Sequence, residues 1–170
     1  FVAAILAGFV SVDRDFKYKC DYKANHDTLL VMLENTTNAN DKAEVYWRLS
    51  RASLMMGAAE QTKAGKRAHF GKGMEYAELG LKLNPNSKEC YMWHCANVGR
   101  ECQTRSLMEQ AKAVPAMTKD LTAMLDKLGH TDYSEAWQAL SELYYNHPLK
   151  SNEAAINFAR KAATCIPDNE

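Results

Sequence analysis

No surplus of either charge is present in the 170 residues: Lys and Arg number 21, and so do Asp and Glu. A nucleic-acid binder normally carries a clear basic excess, so that class is set aside. Glycine (8) and proline (4) are too scarce for an all-β sandwich with its many tight turns. The five cysteines (Cys20, Cys90, Cys95, Cys102 and Cys165) are odd in number and form no CxxC pair. That pattern argues against a disulfide framework or a zinc ribbon and for small buried apolar side chains. Disorder is excluded by an apolar share of 46% and a charged share of 25%. What is abundant is Ala, Leu, Met, Glu and Lys, which are helix formers. The length suits one domain.

The longest apolar run, Phe1–Val12 (FVAAILAGFVSV), is shorter than the roughly 20 residues a membrane span needs. Its length fits the apolar region of an export signal, and Leu6-Ala7-Gly8 resembles the start of a lipoprotein signal. Phe9 then stands where the acylated Cys would be, and Asp13, Arg14 and Asp15 follow where a small-residue cleavage site belongs. A buried first helix is the other reading, and both stay open. Export to a bacterial periplasm, membrane association through this segment and a cytoplasmic location are all compatible with it. The chain accordingly divides into an apolar segment, 1–17, and a helical domain, 18–170.

Internal repetition is the strongest signal. Ala43–Leu54 (AEVYWRLSRASL), Lys88–Gly99 (KECYMWHCANVG) and Ser134–Tyr145 (SEAWQALSELYY) read alike. Each has Glu in its second place and an aromatic residue, Tyr46, Tyr91 or Trp137, in its fourth. They recur about 45 residues apart, a period typical of helical repeat arrays. A second helix follows the first and third copies. Met74–Leu83 stops at Asn84-Pro85-Asn86-Ser87, and Asn152–Cys165, with Ala155, Ala159 and Ala162 at helical spacing, stops at Pro167. Ser87 and Ser134 stand as N-caps, without the Glu three places on that completes a capping box. An earlier half-unit, Asp27–Glu34, precedes the polar loop Asn35–Asn40. Pro115 should kink or interrupt a second helix, and Gly65 and Gly71 predict a kink or a close helix contact.

Trp137, Leu140, Ser141, Tyr144, Ala155, Ala162 and Pro167 resemble the tetratricopeptide repeat (TPR) pattern, and Tyr46, Leu49, Ser50 and Pro85 match it in the first copy. Gly73 and Gly80 depart from it, as does His94 in the second copy. The period exceeds the usual one by about a dozen residues, most of them between Gly57 and Gly73. The phrase Val45–Ala52 (VYWRLSRA) and the long second helices resemble the regulator of microtubule dynamics family. They also resemble its bacterial relatives, including T-components of TRAP transporters. The resemblance implies an all-α, TPR-like superhelical solenoid of about three and a half helix pairs. It implies a non-catalytic scaffold that binds a partner peptide or helix in a concave groove. The alternatives are a helical solenoid that binds a small apolar ligand or cooperates with a transporter solute receptor, and a microtubule-associated adaptor.

The groove this implies is lined by Trp47, Arg48, Arg51, Met92, Trp93, Gln138, Glu142 and Tyr145. Arginine and aromatic side chains are frequent anchors of binding energy, and the planar guanidinium grips a carboxylate at two points. The competing reading pairs both arginines internally with acids such as Glu44 or Glu89. A second candidate is the basic patch Lys63, Lys66, Arg67 and Lys72 with His69, suited to anionic headgroups or an acidic protein surface. Its alternative is a solvated helical face flanked by Glu60, Glu75 and Glu78. Gly65–Gly73 fails the spacing of a phosphate loop. Cys90 and His94, four apart, are at most half a metal site. His26, His130 and His147 are placed near helix ends or loops. No catalytic residue, metal or cofactor is therefore expected.

Overall fold

The computed structural model describes residues 2–128, 134–146 and 151–164. Those residues are all-α, as the composition requires, with no strand among them. The helices are α1 (Val2–Tyr18), α2 (Tyr22–Asn35), α3 (Ala39–Ala59), α4 (Lys63–Leu83), α5 (Lys88–Cys102), α6 (Leu107–Leu128), α7 (Ser134–Asn146) and α8 (Asn152–Thr164). They fall into two compact units, Phe1–Glu101 and Cys102–Glu170.

Local chemistry fixes where the helices begin. Asp21 accepts from the Ala24 amide, Asn38 from Asn40 and Asp41, Thr62 from Gly65, and Ser87 from Cys90. Each such cap satisfies amides that otherwise lack a helical partner, worth about 1 kcal/mol. Ser87 thus acts as the sequence implies, while Ser134 lies inside α7 as its first residue. A capping contact the sequence reading missed starts α6, where Glu109 accepts from both the amide and the hydroxyl of Ser106. The S-x-x-E spacing was there to be read.

In the first unit one apolar stripe organises the helices. Val45, Leu49 and Ala52 recur at helical spacing on α3 and pack with Leu29 of α2, Tyr76 of α4, and Phe9 and Val12 of α1. The apolar N-terminal run is therefore core on one side. On the other, Leu6 and Val10 are 58% and 70% exposed. The Asn25 side chain donates to the Val12 carbonyl at 2.9 Å and ties α2 to α1. A boundary after residue 17 does not coincide with an edge of either compact unit, since α1 is an integral layer of the first.

The long repeat period is explained by the α3–α4 hairpin. Both helices have 21 residues and only Glu60-Gln61-Thr62 separates them, so the extra dozen residues are helix and not loop. Close approach occurs along α4 at one of the two expected glycines, Gly65, and not at the other. Gly71 faces open space, and Gly65 sits in the first turn beside Glu60 and Thr62. The close contacts with another helix are at Gly73, where a Cβ would run into the Asn97 amide group, and at Gly80, where it would strike the Cys90 sulfur. The two glycines that depart from the repeat pattern are thus the ones α5 packs against.

In the second unit α7 and α8 form a hairpin. Phe158 stacks on Trp137 at 5.9 Å and meets Tyr144 at 5.4 Å, and Ser141 donates to the Ala155 carbonyl. Ala155 and Ala162 are buried, as the small-residue stripe requires, whereas Ala159 is exposed. Helix α6 is not interrupted at Pro115, which lies on its exposed side. Cys165, Pro167, His130 and His147 lie outside the described residues.

Candidate functional site

The most elaborate side-chain cluster joins α1 to α3. Phe9, Asp13 and Phe16 share one face of α1 at helical spacing, and Glu44, Trp47, Arg48 and Arg51 do so on α3. Asp13 receives both arginines. Arg48 Nε lies 3.1 Å from each carboxylate oxygen and its Nη2 lies 2.8 Å from Oδ2, while Arg51 Nη2 donates to Oδ1 at 2.6 Å. Glu44 completes the set, accepting from Arg48 Nη1 at 2.8 Å and from the Trp47 indole at 2.9 Å. The guanidinium groups lie over rings, Arg48 above Trp47 at 4.0 Å and Phe9 at 4.3 Å, Arg51 above Phe16 at 3.8 Å.

Two cations face two anions, so the cluster is neutral and each charge has a partner. Burial raises the Asp13 pKa, but hydrogen bonds and charges from Arg48 and Arg51 outweigh it and hold the carboxyl below its ordinary value. Burial also lowers the Arg51 pKa, which the Asp13 contact partly offsets. The arrangement is a carboxylate clamp, not a proton-transfer site, and its occupant is the chain's own first helix.

Of the residues assigned to a groove, Trp47 and Arg48 are buried and Arg51 is largely so, with α1 as their cover. Met92 and Trp93 on α5 are half-buried. Gln138, Glu142 and Tyr145 are exposed along one face of α7, in the second unit. Glu44 is the internal partner of Arg48 that the competing reading named, whereas Glu89 lies 3.9 Å from Lys88. Asp13 was the residue sequence reasoning missed. An acid four places after Phe9 and three before Phe16, on the same helical face as both rings, was the available signal.

The basic patch occupies the first half of α4. Lys63, Arg67 and Lys72 are exposed, Lys66 is half-buried, and Lys72 pairs with Glu75 at 2.8 Å. Cys90 is fully buried against α4, and burial pushes its thiol up to about 11. His94 Nε2 lies 3.5 Å from Glu78. Among the described residues no three potential metal ligands come together. Native-state treatment with iodoacetamide at neutral pH should therefore modify exposed Cys20 while leaving Cys90 unmodified, read by peptide mass spectrometry.

Comparison with known proteins adds a decisive fact. The family profile described as regulator of microtubule dynamics protein 1-3 matches residues 12–127. The chain belongs to that family. No curated protein gives a significant match. The match runs from Val12 on α1 into α6, so the clamp formed by Asp13, Arg48 and Arg51 lies within the span this family member shares. No described helix is long and apolar enough to cross a membrane.

Acidification should weaken this family member in two stages. His26, in the second turn of α2 and not in a loop, packs on the Tyr76 ring at 5.8 Å. Burial lowers its pKa below the ordinary 6.5, so its contribution to stability is present above pH 6.5 and is lost as pH falls through the lowered value. Asp13 contributes above its ordinary 3.8, and that stability is lost as pH falls further, through its own lowered value. Urea midpoints measured against pH should show both stages in the wild type, and His26→Gln should remove the first.

Proposed function

We propose that this chain is a non-catalytic interaction protein that associates with microtubules or with a protein bound to them. The family match over residues 12–127 carries this reading. The architecture supports it, because capped and closely packed helical hairpins present preordered surfaces, which lowers the ordering cost of binding. The finer reading is a TPR-type module. It rests on the repeated first-helix motifs, now on α3, α5 and α7, and on Met92 and Trp93, which are half-buried on α5. With Arg48 and Arg51 already clamping Asp13, partner contacts on the first hairpin are assigned to surfaces α1 does not cover. The relation to TRAP-transporter components has no separate observation in its favour. Co-sedimentation of the purified chain with stabilised microtubules tests the reading. Saturable pelleting that weakens with salt is expected, and a chain that stays in the supernatant with microtubules alone and with microtubules plus cell extract would overturn it.

A further inference from the structure

We propose that two copies of this chain dimerise by exchanging α1, with α1 and α2 of each copy joined into one continuous helix. The turn between those helices carries the first observation. Lys19-Cys20-Asp21 reverses the chain without a helix breaker, and neither glycine nor proline occurs from Phe9 to Asn35. Cys20 nonetheless adopts φ 55°, the one positive value outside glycine among the described residues. A helix that ends in this left-handed conformation usually places glycine there, because a Cβ crowds the following carbonyl. The reversal is therefore imposed on the turn by contacts made elsewhere, while the segment itself favours helix. Short hinges under strain are the ones that invite exchange.

The contacts that hold α1 can be supplied by a second copy. Phe9 and Val12 join the core with Leu29 and Leu49, Asp13 holds Arg48 and Arg51, and Asn25 donates to the Val12 carbonyl. The same surfaces meet when α1 comes from a neighbour, so exchange preserves them. The register also suits it. Gly8 lies against Met32 and Phe16 against Tyr22, so α1 and α2 run antiparallel about a centre near residues 19 and 20. Two straightened α1–α2 helices, related by a two-fold axis near Cys20, reproduce that register on both sides.

Straightening the hinge has effects of both signs. It relieves Cys20 and gives helical partners to the amides and carbonyls at the end of α1 and the start of α2. It keeps the four-residue pairs Asp15–Lys19 and Lys23–Asp27, and brings Lys17 and Asp21 to the same spacing. Against this, the Asp21 cap on Ala24 and the Phe16–Tyr22 ring contact at the hinge are given up. The clamp on Asp13 must open before α1 can move, so monomer and dimer should interconvert slowly. Exchange does not depend on what the chain binds, and a dimer doubles whatever surface it presents.

Size exclusion with light scattering, run in reductant, reads the dimer fraction of the full chain against concentration. The wild type should dimerise as concentration rises. Cys20→Gly suits the left-handed turn and disfavours helix, and should weaken dimerisation about a hundredfold. Cys20→Ala keeps the Cβ and favours helix, and should strengthen it about tenfold. A wild type and a Cys20→Ala variant that both stay monomeric at the highest soluble concentration would overturn the exchange, as would a dimer indifferent to both substitutions. Charge reversal then tests whether α1 itself crosses. Asp13→Arg in one chain and Arg48→Glu/Arg51→Glu in another each break the clamp within their own chain. Only an exchanged heterodimer matches the intact Asp13 with the intact arginines, and the two reversed faces with each other. Mixing should give a one-to-one dimer by native mass spectrometry, with circular dichroism confirming that each variant is helical. A mixture that stays monomeric, or single variants that dimerise alone, would defeat the proposal.

Discussion

Asp13→Ala is expected to destabilise the first unit by about 3 kcal/mol, because it leaves Arg48 and Arg51 buried with only Glu44 between them. Breaking a fully buried pair costs about 3–5 kcal/mol, and the lower end applies because the Asp13 side chain retains 34% exposure. The loss should be largest for α1. Without Asp13, its hold on the rest of the unit comes from apolar contacts of Ile5, Phe9, Val12 and Phe16 and from the Asn25 bond to the Val12 carbonyl. Amide exchange along α1 should therefore accelerate more than that of α3. Urea denaturation, followed by Trp47 fluorescence in a background where Trp93 and Trp137 are Phe, measures the total. A combined Asp13→Leu, Arg48→Met, Arg51→Met variant should lose much less than Asp13→Ala alone, since no buried charge is left unpaired in it; Glu44, which loses Arg48, is 41% exposed and keeps the Trp47 indole. If the single and triple variants are equally destabilised, packing and not charge pairing holds α1.

Two neighbouring glycines should respond to alanine with opposite signs. At Gly73 a methyl group would collide with the Asn97 side chain, which is fully buried. Asn97 Nδ2 donates to the Ser50 carbonyl and hydroxyl at 3.2 and 3.1 Å and to the Trp93 carbonyl at 2.8 Å. Making room therefore strains the α4–α5 contact and loosens buried hydrogen bonds, and Gly73→Ala should cost about 2–4 kcal/mol. Nothing lies within 4 Å of a Cβ at Gly71, on the same helix two residues earlier. There alanine only restores helix propensity, and Gly71→Ala should stabilise by up to about 1 kcal/mol. Thermal or urea unfolding of the two variants side by side checks the sign. Stabilisation by Gly73→Ala would mean that α5 packs on α4 differently.

Some of this was legible before any coordinates. Helix class followed from composition and from few breakers. The starts of α5 and α7 followed from the repeated Glu and aromatic positions, because periodicity is a local property of the sequence, whereas α3 begins at Ala39, four residues before the repeated segment and inside the expected loop. The second-helix stripe of Ala155 and Ala162 was readable for the same reason. Candidate binding residues were less so. Arg48 and Arg51 were correctly singled out as unusual, but their role depended on what lay opposite, and Asp13 is more than thirty residues away in sequence.

Glycine makes the same point. Gly71, Gly73 and Gly80 are indistinguishable as letters, and only neighbours brought in by α5 separate the two that are required from the one that is dispensable. By itself, the sequence determined an all-helical chain, because helix propensity and apolar spacing act over a few residues. Tertiary structure decided that α1 covers the arginine face and that α5 packs on Gly73 and Gly80 of α4. Charge pairing and close packing act through space, between residues whose distance along the chain says nothing of their distance in the fold.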